Sequence, residues 1–325
     1  MYKVYDRLYI DIYEDDVHTR KMINELVEYH ITSTNYHESY FPLNKDYGPI
    51  NICNIVNFIN YIDKIYNEPK IYNKKIIYYV YLNKNNSYLL NAVFLCGCYL
   101  IIKQNVKIDS VIHNLLSIFN DHPCYYIDCI SNWGGYYSSI IDCLKSINFV
   151  NLNNIEDFNN FDTQKYEYMT DYLYRDMNLV ANKFIAMACP NNKNILNIKD
   201  ILLNNNCKKI IRLNSNCDKK YDKNVFLNSN IELFDLYFDD YSIPSIEIIK
   251  KFMNIINNTD FNEIIAIHCK AGLGRTGLLI CIWLIIKLNF EPREAIAYLR
   301  IMRPGSIMGN QGFFIENINY YRKLI

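Results

Sequence analysis

The chain has 325 residues, half of them hydrophobic, and it balances 34 Lys and Arg against 34 Asp and Glu. A chain of this length can bury a large core without disulfide or metal support. The zero net charge argues against a protein that binds nucleic acid or anionic lipid nonspecifically, because such binding normally needs a basic excess.

The cysteines and the apolar runs indicate where the protein resides. None of the eleven Cys lies in a Cys-x-x-Cys pair, which indicates buried free thiols in a reducing compartment. The first residues lack a signal-peptide pattern, and the longest apolar runs, of about eleven residues, are too short to span a bilayer. We expect a soluble intracellular protein of the cytoplasm or nucleus, with no metal, no cofactor and no nucleic-acid partner.

The first half of the chain contains one clear strand–loop–helix passage. Residues 75–82 (KIIYYVYL) form a continuously apolar stretch, a polar segment follows at 83–87, and an apolar helix is predicted over 88–103. Continuous apolar runs of this length are typical of a strand buried in a parallel sheet.

A polar segment at 155–178 separates the two halves of the chain. It is rich in charged residues and has no Gly or Pro, so residues 164–176 are predicted to form a helix with a weak apolar face. Such a helix is typical of a connection between domains.

The second half alternates strands and helices. Strands are predicted at 183–188, 208–213, 232–238 and 263–268, and helices at 198–204 and 276–288. Pro244 and Pro292 are each predicted to open a further helix at its first turn, and Pro304 with Gly305 ends the latter. The prediction is an α/β fold with two tandem domains, each a central, mostly parallel sheet flanked by helices. The N-terminal domain takes 1–160, a linker helix 161–178, and the C-terminal domain 179–325.

The decisive segment is the loop HCKAGLGRTG at 268–277, which follows a buried strand and opens a helix. A loop in this position aims its backbone N–H groups and the helix N-terminus at one point, which forms an anion site. Cys269 begins the loop as a nucleophile, because an electropositive environment favours the reactive thiolate. Arg275, six residues later, offers a planar fork for two phosphate oxygens. The phosphate-binding residues are therefore predicted to be Lys270, Ala271, Gly272, Leu273, Gly274 and Arg275.

Three other interpretations of the loop are weaker. Its glycines at 272, 274 and 277 match the dinucleotide-binding fingerprint, but that fingerprint expects an acidic residue closing a second strand, and here the region 291–302 reads as a helix. A Walker loop needs Lys followed by Ser or Thr, which this loop lacks. A structural Cys at a glycine-rich turn would not require Arg275.

Two further segments offer groups for the same chemistry. Displacing a Ser, Thr or Tyr oxygen from phosphorus requires a proton donor, and Asp239 or Asp240 lies just past a strand end. Taken alone, Asp240 is equally consistent with a turn or helix-capping residue. Gln311, in the segment RPGSIMGNQ at 303–311, could orient the hydrolytic water, although a solvated Gln is the ordinary alternative.

The Cys-x5-Arg loop followed by Thr is the signature of the protein tyrosine phosphatase superfamily. HCKAGLGRTG with RPGSIMGNQ resembles one branch, the mitotic-exit dual-specificity phosphatases of the cell-division-cycle fourteen type. The likeness extends to DYGPIN at 46–51, IDCL at 141–144, RLN at 212–214 and the acid loop at 238–244.

This resemblance implies roles for named residues. Cys269 is the nucleophile, Arg275 binds phosphate, and Thr276 donates its hydroxyl to the thiolate. Asp240, rather than Asp239, aligns with the general acid, and Gln311 aligns with the residue that positions water. His268 is expected to support the loop through hydrogen bonds rather than to act as a base.

The resemblance also implies different roles for the two domains and a class of substrate. The first domain has YLNKNNS at 81–87 in place of the loop, with no Cys or Arg, and is expected to be a recognition or structural partner. Substrates would be phosphoproteins made by Pro-directed kinases, with phosphoserine or phosphothreonine before Pro and a basic residue shortly after, and phosphotyrosine proteins. Glu167, Asp171 and Asp176 would read the basic residue in an acidic groove, more weakly than in the family because Thr170 replaces one acid. Regulation by the family's long polar C-terminal tail is not expected.

Two other classes of protein are alternatives. An inositol-lipid phosphatase uses the same loop but typically has Lys at the position of Leu273 and a basic membrane-facing surface. A noncatalytic phosphoprotein-binding scaffold would be expected to lack Cys269, Arg275 or the acid, and all three are present.

Overall fold

The structure is a computed structural model that describes residues 1–13, 28–32, 48–82, 87–119, 124–127, 136–215 and 221–322. The chain divides into two compact units. Unit 1 comprises Met1–Ile127 and Tyr137–Phe161, and unit 2 comprises Asp128–Tyr136 and Asp162–Ile325.

Unit 1 contains a four-stranded sheet with helices. Its strands and helices are β1 (Tyr2–Tyr5), β2 (Leu8–Tyr13), β3 (Glu28–Thr32), α1 (Ile52–Tyr66), β4 (Lys75–Tyr81), α2 (Ser87–Ile102), α3 (Ile108–Leu116), β5 (Tyr125–Tyr126), β6 (Ser138–Ser139) and α4 (Ile140–Leu152). The sheet has the order β1-β2-β4-β3, and β2 and β3 run parallel to β4. Only β1 is antiparallel to its neighbour, and β5 and β6 form a separate short pair.

Helix α2 is the centre of unit 1. All but one of its residues are buried, which explains why the sequence is apolar around the whole helix rather than on one stripe. Gly97 allows α4 to approach closely, because a Cβ at this position would lie 2.4 Å from Cδ2 of Leu144. The strand at 75–82 and the helix at 88–103 predicted from the sequence are confirmed as β4 and α2.

Unit 2 contains the sheet that carries the loop at 268–277. Its elements are α5 (Thr163–Thr170), β7 (Met177–Val180), β8 (Phe184–Met187), α6 (Ile195–Asn204), β9 (Cys207–Arg212), α7 (Asn224–Leu227), β10 (Glu232–Asp235), α8 (Ile246–Asn257), β11 (Ile264–His268), α9 (Gly274–Lys287), α10 (Pro292–Met302) and α11 (Asn310–Glu316). The strand order is β10-β9-β11-β8-β7. The first four of these strands are parallel, and β7 alone is antiparallel.

Strand β11 lies in the middle of this sheet, and all five of its residues are buried. Because β8 and β9 flank it in parallel, the carboxyl ends of three strands meet at the edge where the loop begins. Helix α9 starts at Gly274, within the segment 268–277, and is buried from Gly274 to Ile285. The predicted α/β fold, with mostly parallel sheets flanked by helices, is confirmed.

The predicted connecting helix is shorter than expected. The sequence predicts a helix over 164–176, whereas α5 ends at Thr170. The Thr170 hydroxyl donates to the carbonyl of Tyr166, and the Asp171 carboxylate accepts from the N–H of Leu173, so local side chains compete with the helical pattern. The backbone then turns, and Asp176 adopts a φ of +45°.

Two other bounds also differ from the prediction. The strand predicted at 232–238 ends at Asp235. Pro244 does not open the next helix, because Ser245 caps α8 by accepting from the N–H of Ile248 at 3.4 Å. Pro292, in contrast, stands at the first turn of α10 as predicted.

Some predictions lie outside the described residues. These are positions 83–86, which replace the loop in the first half of the chain, and Asp46 with Tyr47 of the DYGPIN segment. Across the described ranges, no helix has the length and apolar character needed to cross a membrane.

Candidate active site

Cys269 lies at the centre of the loop between β11 and α9. Its side chain is only 3% exposed, and the backbone N–H of Gly272 donates to Sγ at 3.3 Å. The loop therefore curls around the sulfur with at least one amide directed at it. Backbone N–H groups directed at one point in this way form a site that favours a bound anion.

Gly272 is the residue that allows this curl. Its φ is +69°, and a Cβ at this position would lie 1.9 Å from the carbonyl oxygen of Met187 at the end of β8. Backbone atoms of a central strand cannot move aside as the end of a side chain could. The position therefore requires glycine for both its conformation and its space.

Arg275 stands in the first turn of α9 and is almost fully buried. Its Nη1 donates to the carbonyl oxygen of Phe238 at 3.1 Å and to that of Leu213 at 3.3 Å. Its Nε lies 3.2 Å from Oδ1 of Asp240, close enough for an ion pair but without the alignment of a hydrogen bond. The guanidinium is thus fixed by two loops and retains donors for an oxyanion.

The structure separates the two candidate acids at 239 and 240. Asp240 is 46% exposed and lies beside Arg275, whereas the Asp239 carboxylate accepts from the hydroxyl of Tyr237. A left-handed turn at Tyr241, with φ of +58°, follows Asp240. Of the two carboxylates, Asp240 is therefore the one brought to the phosphate-binding loop.

Gln311 is brought to the same place from α11. Its side chain is fully buried, and a Cβ at Gly274 would lie 3.0 Å from its Oε1. Oε1 accepts from the N–H of Met308 at 3.2 Å, and Nε2 donates to the carbonyl oxygen of Ser242 at 3.5 Å. Gln311 thus lies between the loop at 268–277 and the loop of Asp240, and its role toward water stays a prediction.

Thr276 is buried beside Arg275 in the first turn of α9. Within the described part of the chain its hydroxyl makes no hydrogen bond, so the predicted donation to Cys269 is not formed in this structure. Its role toward the thiolate stays a prediction.

His268 supports the loop from the strand side. Its ring is fully buried, with Nδ1 3.1 Å from the carbonyl oxygen of Cys269 and Nε2 2.8 Å from the hydroxyl of Tyr221. A carbonyl oxygen only accepts, so Nδ1 donates to it, and Nε2 pairs with the Tyr221 hydroxyl. Burial raises the pKa of Tyr221 well above its usual value, which keeps this hydroxyl protonated.

Two arginines hold the surroundings of the loop. Arg212 makes a two-pronged contact with Asp235, at 2.9 and 2.7 Å, which joins the ends of β9 and β10. Arg303 follows α10 and donates to the carbonyl oxygens of Gly272 and Ala271 at 2.8 and 2.9 Å. Sequence reasoning did not assign roles to Arg303 or Tyr221, because their partners lie 31 and 47 residues away and no local pattern marks such pairs.

The three acids predicted to read a basic residue have different surroundings. Glu167 is exposed on α5. Asp171 forms an ion pair with Arg175 at 2.8 Å, and Asp176 forms one with Arg303 at 2.9 Å. Their part in substrate binding stays a prediction, and Asp171 and Asp176 each already have a cationic partner.

A metal centre is not apparent at this site. Among the described residues, no group of three or more His, Cys, Asp or Glu side chains could hold a metal ion. The chemistry available is that of a buried thiol, an arginine, a carboxylate and directed backbone amides.

The chain is similar to dual-specificity phosphatases over most of its length. The family model for the dual specificity protein phosphatase N-terminal half matches residues 3–149, and that for the dual specificity phosphatase catalytic domain matches residues 184–323. Dual specificity protein phosphatase CDC14A of Mus musculus is 32% identical over 282 residues, which cover 83% of this chain and 46% of the relative. The tyrosine-protein phosphatase CDC14 homolog of Schizosaccharomyces pombe is 31% identical over 293 residues, covering 85% and 53%. The chain spans about half the length of these curated relatives.

Cysteine reactivity tests the electrostatics of the loop. Brief treatment of the native protein with iodoacetate should label Cys269, and inorganic phosphate should slow that labelling. Cys207 and Cys281 should stay unlabelled, because burial raises the pKa of Cys207 to about 12 and that of Cys281 well above its usual value. The measurement is peptide mapping by mass spectrometry. Labelling of Cys281 as fast as Cys269, or labelling of Cys269 that ignores phosphate, would contradict the assignment.

Proposed function

The chain belongs to the CDC14-type family of dual-specificity phosphatases, and on that premise we propose that it is a protein phosphatase that works through a cysteinyl-phosphate intermediate. The observation that carries the proposal is the arrangement around Cys269. The buried sulfur accepts a hydrogen bond from the N–H of Gly272, and Arg275 stands at the start of α9. Oδ1 of Asp240 lies 3.2 Å from Nε of Arg275.

In the first step, the Cys269 thiolate attacks phosphorus, and a bond forms between sulfur and phosphorus. The loop amides and Arg275 hold the nonbridging phosphate oxygens and stabilise their negative charge. They keep this hold while the bond from phosphorus to the serine, threonine or tyrosine oxygen breaks. Asp240, in its protonated form, gives its proton to the leaving oxygen. The dephosphorylated protein departs, and the carboxylate of Asp240 remains.

In the second step, water hydrolyses the intermediate. Asp240 takes a proton from the water while the oxygen attacks phosphorus, and the phosphorus–sulfur bond breaks. Gln311 places the water, which is supported by its position beside Gly274 and its bond to Ser242 of the acid loop. Thr276 stabilises the released thiolate, and inorganic phosphate leaves. Neither step requires a metal or a cofactor.

The substrate class we propose is phosphoserine or phosphothreonine before Pro, together with phosphotyrosine, in proteins phosphorylated by Pro-directed kinases. A basic residue after the Pro should help only modestly. Asp171 and Asp176 are each paired with an arginine, so much of their charge is already neutralised. An exposed ion pair between the basic residue of the substrate and Glu167 would contribute about 0.2–1 kcal/mol to binding.

A matched set of phosphopeptides tests both the chemistry and the substrate class. The set contains phosphoserine-Pro with and without a Lys three residues on, phosphothreonine-Pro, phosphotyrosine, and a soluble inositol phosphate. Wild-type protein should turn over the Pro peptides, with Lys raising the rate by about 1.4- to 5-fold, which corresponds to the 0.2–1 kcal/mol of an exposed ion pair. Cys269→Ser should release no phosphate from any of them.

Each contrary outcome of this assay has a definite meaning. Phosphate release by Cys269→Ser would refute the cysteinyl-phosphate mechanism. Fastest turnover of the inositol phosphate would favour a lipid-type phosphatase. Binding of the peptides without turnover by the wild-type protein would favour a phosphoprotein-binding scaffold.

Paired substitutions at the two neighbouring acids test the proton donor. Asp240→Asn should lower kcat on the phosphoserine peptide by about 10²–10⁴-fold, the usual contribution of a positioned general acid. The loss should be much smaller with an aryl phosphate whose phenol is a strong acid, since that oxygen leaves without a proton. Asp239→Asn is the matched control, and its carboxylate contacts Tyr237 instead. An equal loss on both substrates, or a larger loss for Asp239→Asn, would contradict the assignment.

A further inference from the structure

Arg303 is the residue best placed to control the shape of the phosphate-binding loop from outside. Its side chain is 3% exposed, and Nε and Nη2 donate to the carbonyl oxygens of Gly272 and Ala271 at 2.8 and 2.9 Å. One planar guanidinium thus holds two successive carbonyls of the loop. A lysine could not do this, because its ammonium is a point donor without the fixed fork.

The direction of those two carbonyls decides where the loop amides point. In a trans peptide the N–H and C=O of one unit point in opposite directions. The carbonyl of Ala271 shares its peptide with the N–H of Gly272, and the carbonyl of Gly272 shares its peptide with the N–H of Leu273. Pulling both oxygens outward therefore turns both N–H groups inward. The bond from the Gly272 N–H to Sγ of Cys269, at 3.3 Å, is the consequence seen in the structure.

Arg303 is in turn held by two residues on the other side. Nη2 lies 2.9 Å from Oδ1 of Asp176, and Nη1 donates to Oδ1 of Asn178 at 2.8 Å. Asn178 is itself fixed, since its amide donates to the hydroxyl of Thr170 at 2.9 Å. The guanidinium of Arg303 therefore binds the two loop carbonyls and the carboxylate of Asp176 at the same time.

The backbone of Asp176 is fixed as firmly as its side chain. Its N–H donates to the carbonyl oxygen of Asp171 at 2.9 Å, and its own carbonyl accepts from Ala188 at 3.0 Å, just past β8. Removing the carboxylate charge would leave a buried arginine without its anionic partner, which is a costly arrangement. Arg303 would then shift toward other acceptors or toward water and loosen its hold on the loop.

We infer that Asp176 is a positioning residue that acts through Arg303 on the amides of Gly272 and Leu273, and not an acid that contacts the substrate. The effect expected on turnover rests on the proposed phosphatase function. It assigns to Asp176 a part in every turnover, whatever sequence surrounds the phosphate.

The test compares Asp176→Asn with Asp200→Asn, a matched substitution at an exposed surface pair with Lys199. Asp176→Asn should lower kcat on a small aryl phosphate and weaken binding of inorganic phosphate, each by about tenfold, less than the 10²–10³-fold cost of losing one oxyanion donor outright. The ratio of kcat/KM for peptides with and without the downstream Lys should stay as in wild type. Asp200→Asn should change none of these values.

The opposite pattern would overturn the inference. If Asp176→Asn keeps wild-type kcat and phosphate affinity but loses the preference for Lys, then Asp176 contacts the substrate. Calorimetric binding of inorganic phosphate is a readout independent of turnover. If wild-type protein bound phosphate but hydrolysed nothing, the proposed function would fail, while weaker binding by Asp176→Asn would still support the coupling.

A second variant covers the case in which Asp176→Asn does not fold, as judged by circular dichroism. Arg303→Lys keeps the charge but cannot span two carbonyls and two side-chain acceptors. It should lower kcat on the aryl phosphate and weaken phosphate binding in the same way. Wild-type values for Arg303→Lys would refute the coupling.

Discussion

The close contact between Gly272 and the backbone of Met187 is the constraint on which the active site depends. The loop can curl over the carboxyl end of β8 only because residue 272 has no Cβ, which would otherwise lie 1.9 Å from a strand carbonyl. Once the loop lies there, its amide reaches Sγ of Cys269, and α9 begins with Arg275 facing the same point. The proposed nucleophile and the proposed anion site therefore depend on one local packing requirement at the end of β8.

Buried arginines fix the parts that the glycine leaves free to move. Arg275 binds the carbonyls of Leu213 and Phe238, so the ends of β9 and the acid loop are tied to the head of α9. Arg303 does the same for the loop carbonyls from the far side. Such side chains are costly to bury without partners, so each one requires its acceptors to be in place. The loop at 268–277 and its surroundings are therefore held in place by buried hydrogen bonds, an arrangement that would suit the electrostatic stabilisation the proposed reaction needs.

The sequence predicts well what depends on neighbours along the chain. The apolar run before Cys269, the glycines after it and the helix that follows are local features, and the structure confirms that strand and that helix. The pairing of Arg303 with Gly272 and with Asp176, 31 and 127 residues away, has no local signature and could not be predicted. The choice between Asp239 and Asp240 also depended on resemblance, because Arg275, beside which Asp240 lies, is 35 residues further along the chain and no local pattern marks that pair.

Phosphate binding by Gly272→Ala tests the dependence of the loop on this glycine most directly. The variant should keep the circular dichroism of the wild-type protein but no longer bind inorganic phosphate by calorimetry and no longer release phosphate from a phosphopeptide. The reason is that a methyl group at residue 272 collides with a strand backbone that cannot yield. A variant that folded, bound phosphate and turned over substrate as wild type does would show that the loop does not owe its shape to this contact.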